Sequence, residues 1–144
     1  MTDAIQAHLT TAREALADGR SLDARNAYAR AAALSRESGA PLLQAHALRH
    51  LSDIDREADH LEQALAHAEQ AAALYRANGQ GASLDMANAL RLTALALDGL
   101  RRPGPALTAW TAARDLYADA GVAAGVAECE ARLGGAATSS PEAW

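Results

Sequence analysis

The sequence predicts an all-α fold of antiparallel helix pairs, and three observations predict it. Alanine, the strongest helix former, supplies 40 of the 144 residues. Between regularly placed glycines and prolines, apolar residues recur at the spacing of one helix face. A block of alanines and leucines also repeats in register three times along the chain. β-branched residues are scarce, which argues against a sheet. Small side chains let helices approach closely, and aromatics make up only 3% of the chain, so the core cannot rest on large rings.

Helices are expected over residues 3–18, 21–38, 41–57, 60–78, 83–98, 105–120 and 123–133. The first carries Ile5, Leu9 and Leu16 and stops at Gly19, since glycine readily takes the left-handed conformation that closes a helix. Ser21 is the expected N-cap of the second helix, and Gly39 its stop. Pro41 opens the third, where a missing N–H costs nothing. Asp59 with Glu62 approximates a capping box for the fourth, which Gly79 ends. Ser83 caps the fifth, and Pro105 suits the first turn of the sixth, which runs to Gly121. The seventh presents Val126, Cys129 and Leu133 inward and stops at Gly134. One domain, 1–133, is therefore expected, with 134–144 as a disordered tail ending in Trp144.

The repeat is read from three segments ending in glycine, over 21–39, 61–79 and 103–121. Each holds Ala, then a variable residue four on, Ala three further and Leu three further. The sets are Ala24, Tyr28, Ala31, Leu34; Ala64, Ala68, Ala71, Leu74; and Ala106, Trp110, Ala113, Leu116. Such offsets trace one stripe of a helix. Ala47-Leu48-Arg49 recurs as Ala89-Leu90-Arg91 in the preceding helices, so the unit is a helix pair of about 40 residues.

This pattern resembles the tetratricopeptide repeat, in its long-helix bacterial variant with units of 40–42 residues. Ala24-x3-Tyr28-x2-Ala31 and Ala106-x3-Trp110-x2-Ala113 match the small–aromatic–small signature of the family's second helix. Gly19 matches its turn, with Asp59 and Arg101 in the corresponding places. Ala68 departs from the aromatic position, and the family's first-helix tryptophan is missing. The resemblance implies a right-handed α-solenoid of three such helix pairs plus a C-terminal capping helix. It also implies a protein–protein interaction module, an adaptor or regulator without catalytic residues or cofactor, that binds a peptide or protein in a concave groove lined by first helices.

Carried onto this chain, the family's groove positions fall fifteen, eighteen and eleven residues before each motif alanine. They are Leu9, Arg49 and Arg91; Gln6, His46 and Asn88; and Arg13, Asp53 and Leu95. Arg49 and Arg91 occupy equivalent places in successive repeats. Stacking brings their charges together, which is costly unless solvent or an anion offsets it. Guanidinium suits bidentate carboxylate binding, so the groove is expected to take an acidic segment or a terminal carboxylate. The plainer reading pairs the two arginines with Asp53 and Asp98. A homodimer built on a stripe of Ile5, Leu9 and Leu16 is the alternative function.

Composition narrows the other classes. The net charge of −5, and a single basic pair at Arg101-Arg102, disfavour nucleic acid. All 13 basic residues are arginine, which removes Schiff-base lysines and the phosphate-loop lysine. One cysteine excludes an intramolecular disulfide, and no apolar run approaches a membrane span, so a cytoplasmic protein without signal peptide is expected. His46 and His50 stand four apart with Asp53 beyond, yet no second cluster completes a metal site, so none is expected. His8, His60 and His67 read as surface or interface positions, and the aspartates, Asp55 among them, as helix-end or polar-face residues. Ser52 and His50 point differently on one helix and make no nucleophile–base pair.

Overall fold

A computed structural model describes residues 2–138. Among them seven helices follow one another: α1 (Thr2–Ala17), α2 (Ser21–Glu37), α3 (Pro41–Glu57), α4 (Leu61–Ala77), α5 (Leu84–Gly99), α6 (Pro103–Asp119) and α7 (Ala123–Thr138). Each packs against its neighbours in the chain, and the one further extensive contact joins α3 to α5. Contact confined to near neighbours is compatible with stacked helix pairs.

One turn geometry joins the helices. Gly19, Gly39, Asp59, Gly79, Arg101 and Gly121 all lie in the left-handed region, at φ between 60° and 78°. The next residue then donates its N–H five residues back: Arg20 to Ala15, Ala40 to Ser35, His60 to Asp55, Gln80 to Tyr75, Arg102 to Leu97 and Val122 to Tyr117, at 2.7–2.9 Å. These bonds close the last helical turn in the manner of a Schellman motif. Asp59 and Arg101 thus hold the turn conformation that glycine holds elsewhere.

The turns, rather than capping side chains, set most helix starts. After five of them the next helix begins two residues past the left-handed residue. Ser21 is accordingly the first residue of α2, with Arg20 in the cap position and no side-chain cap bond. The Asp59–Glu62 capping box does not form; His60 precedes α4 without capping it. The sixth helix starts at Pro103, two residues earlier than Pro105 implied. Only α5 follows a longer connection, and there Ser83 caps as expected, accepting from Met86 N at 3.1 Å. Gly134 does not stop α7, which continues to Thr138, so the expected tail is helical over 134–138. Its remainder, including Trp144, lies outside the described residues.

The repeat stripe is the core. Ala24, Tyr28 and Ala31 are fully buried, as are Ala64, Ala68 and Ala71, and Ala106, Trp110 and Ala113 match them to within 1% exposure. Leu34, Leu74 and Leu116 pack partly buried against this core. Ala68 puts no ring at the aromatic position, and the buried ring of α4 is instead Tyr75, which lies beneath the Arg49 guanidinium. Cys129 is a fully buried small side chain, and burial pushes its thiol pKa up.

Close packing makes one small residue of α7 sensitive. A Cβ on Gly125 would meet the Tyr117 ring at 2.5–2.7 Å, against the rigid root of the ring rather than a mobile tip. Gly125→Ala gains up to about 1 kcal/mol in helix propensity. Overpacking costs about 1–3 kcal/mol. We expect a net loss, read as a lower urea midpoint; a raised midpoint would show that Tyr117 gives way freely.

Candidate functional site

Helices α3 and α5 touch each other along one face, with α4 between them in sequence. On that face Arg49, His50 and Asp53 from α3 meet Asn88, Arg91 and Leu92 from α5 around a cavity of about 180 Å³. Four of the nine expected groove residues, Arg49, Asp53, Asn88 and Arg91, are therefore brought together. His46 stands beside them, its ring edge-on to His50 at 4.7 Å between centroids. Gln6 and Arg13 are exposed on α1 and do not line the cavity; Arg13 bonds Thr10 at 3.3 Å.

Two of the expected groove residues are buried. Leu9 and Leu95 are 3% and 9% exposed and belong to the core, because an apolar residue on the inner helix stripe gains more from burial than from lining a polar face. Ile5 is likewise fully buried, which leaves only Leu16 of the expected dimer stripe exposed.

The arginines find anions within the chain, but not Asp53 and Asp98. Arg49 reaches Asp85 at 3.5 Å, and its guanidinium carbon lies 5.9 Å from the centre of the Tyr75 ring. Its side chain is largely buried, and its Nε has no hydrogen-bond partner among the described residues. Arg91 forks onto Glu128 of α7, Nε to Oε1 at 2.5 Å and Nη2 to Oε2 at 3.1 Å. That bond holds the Glu128 carboxyl below its ordinary pKa and raises Arg91 above its own. Asp53 pairs with Arg56 at 2.7 Å, while Asp98 accepts from Trp110 Nε1 at 2.8 Å and faces Arg132 at 3.7 Å. Asn88 accepts from the Tyr117 hydroxyl at 2.6 Å, which leaves its amide NH₂ as a donor.

Behind the cavity, His50 stacks on Tyr28 with ring centroids 4.6 Å apart and planes 5° from parallel. Burial pushes the His50 imidazole down to about 4, helped by His46 and Arg49 and opposed by Asp53. Burial also lowers His46. Neither ring therefore adds a cation to the cavity at pH 7, where the Arg49 and Arg91 guanidiniums stand with the Asp53 carboxylate. Among the described residues no group of three or more His, Cys, Asp or Glu is placed to hold a metal ion.

A second polar cluster went unnoticed in the sequence. Asp55 is not on a polar face; it is fully buried between α2, α3 and α4. It accepts from Arg25 Nε at 2.9 Å and lies 3.0 Å from His67 Nδ1, so His67 is half-buried structure rather than free surface. The available signal was its position one helical repeat after Leu48 on the apolar stripe of α3. A separate apolar depression between α6 and α7, lined by Ala118, Val122, Val126 and Ala127, offers little to orient a ligand beyond the Glu130 carboxylate.

Compared by sequence with known families and curated proteins, the chain matches no family model and no curated protein.

Proposed function

We propose that this protein is a non-enzymatic interaction module of the tetratricopeptide type, a right-handed α-solenoid that holds an acidic segment or terminal carboxylate of a partner protein. The observation that carries this reading is the α3–α5 cavity, where Arg49, Asn88 and Arg91 converge and the Arg49 Nε is left without a partner. Support for the repeat comes from the buried stripe shared by α2, α4 and α6 and from the recurrent turn. Guanidinium pairs at a partly exposed face give specificity for carboxylates through bidentate bonding. The present anions, Asp85 at 54% side-chain exposure and Glu128 at 32%, sit at the solvent boundary, where ion pairs are weak and exchangeable.

The test is a titration of a dye-labelled hexaglutamate peptide at low salt, with hexalysine as the control. Arg49→Gln/Arg91→Gln is expected to weaken hexaglutamate binding by at least about tenfold while leaving helicity intact. Equal binding by wild type and the double variant would remove the groove from the function.

A further inference from the structure

The partner of Arg91 comes from the last described helix, not from its own repeat. Glu128 sits in the second turn of α7 and reaches across to α5 with both carboxylate oxygens, the geometry an acidic ligand would adopt on a guanidinium. Tyr117 of α6 holds the Asn88 carbonyl oxygen beside it. Among the described residues, α6 is the one extensive packing partner of α7. The contact to Arg91 is therefore an addition to the docking of α7, made at the solvent boundary, with Arg91 and Glu128 side chains 35% and 32% exposed.

We propose that Glu128 is an intramolecular competitor, a carboxylate of the chain itself that occupies the Arg91 end of the binding face and must be displaced before a partner engages both arginines. The proposal rests on the acidic-partner reading above. It gives the face a threshold: Glu128 must leave Arg91, as Asp85 must leave Arg49, before a ligand with several carboxylates engages both guanidiniums.

The test uses the full chain and the hexaglutamate probe. Glu128→Gln keeps the shape of the side chain and removes its charge. Glu130→Gln, an exposed position two residues on, removes the same charge without touching Arg91 and controls for the overall field. Glu128→Gln is expected to bind roughly three- to fivefold more tightly than Glu130→Gln, as befits release of a boundary ion pair. Adding Arg91→Gln should erase that gain. Glu128→Ala, with circular dichroism to confirm helicity, should show the same tightening. Equal affinity of the Glu128 and Glu130 variants overturns the competition alone. Binding that survives Arg49→Gln/Arg91→Gln unchanged, or no binding by any form, overturns the groove reading and the competition with it.

Discussion

Arg25→Ala is expected to cost about 3–5 kcal/mol of stability, more than Asp55→Ala, although the two residues make one ion pair. The asymmetry follows from where each charge is left. Asp55 is fully buried among α2, α3 and α4, so removing Arg25 strands a carboxylate whose remaining neighbours are His67 at 3.0 Å and the exposed His60 at 4.0 Å. Removing Asp55 leaves Arg25, whose side chain is 39% exposed and free to turn toward water. That second substitution should cost about 2–3 kcal/mol, mainly the unmade bonds and the space vacated. The Arg25→Ala/Asp55→Ala double variant should be less damaged than the sum of its parts. Urea unfolding of the four proteins measures all three values. An Arg25→Ala variant within about 1 kcal/mol of wild type would show that water reaches Asp55 and that the cluster is ornamental to folding.

This cluster also marks the boundary of what sequence patterning reveals. Helix number and order followed from glycine spacing and the alanine stripe, and the stripe positions at Ala24, Ala64 and Ala106 are core. Those signals are strong because they are periodic and because burial acts on every repeat alike. Helix starts were less legible. Ser21 and Asp59 have capping chemistry, but the turn bond from Arg20 to Ala15 and from His60 to Asp55 already sets the entry of the chain, and leaves the cap role unused. Gly134 carries a stop signal that α7 ignores, since glycine permits the closing turn without compelling it.

The site was half legible for the same reason. Repeat arithmetic gives Arg49 and Arg91 equivalent places in α3 and α5, and both line one cavity. The arithmetic carries no information on what the rest of the chain brings to that cavity. Glu128 lies 37 residues from Arg91, outside any repeat, and Asp85 arrives from the first turn of α5. Leu9 and Leu95 show the converse failure: they share groove positions by count, yet an apolar side chain at the edge of the stripe turns inward. Position in a repeat fixes direction only to within the width of a helix face, and chemistry decides the rest.

The pH dependence of stability should report on the wall of this same cavity. His50 is stacked on Tyr28, edged by His46, and set among Arg49 and Asp53 of its own helix and Arg13 of α1. Its folded pKa is about 4, against an ordinary value of 6.5. Above pH 6.5 the ring is neutral whether the chain is folded or not, and it contributes nothing. Between pH 6.5 and 4 the unfolded chain takes up a proton that the folded ring refuses, so stability falls as pH falls through that window. His46, also lowered, acts with the same sign. The loss from His50 should reach about 1–2 kcal/mol by pH 5, allowing for solvent screening at its open edge. Glu128 cannot account for it, because a carboxylate held below its ordinary 4.5 loses its contribution only at lower pH. Urea unfolding from pH 7.5 to 5 should therefore slope in wild type and flatten substantially in His50→Gln, while NMR follows the ring directly. A slope unchanged by the substitution would assign the dependence to other groups. Flat profiles in both would place water against the ring, and with it a third cation available to the face below pH 6.5.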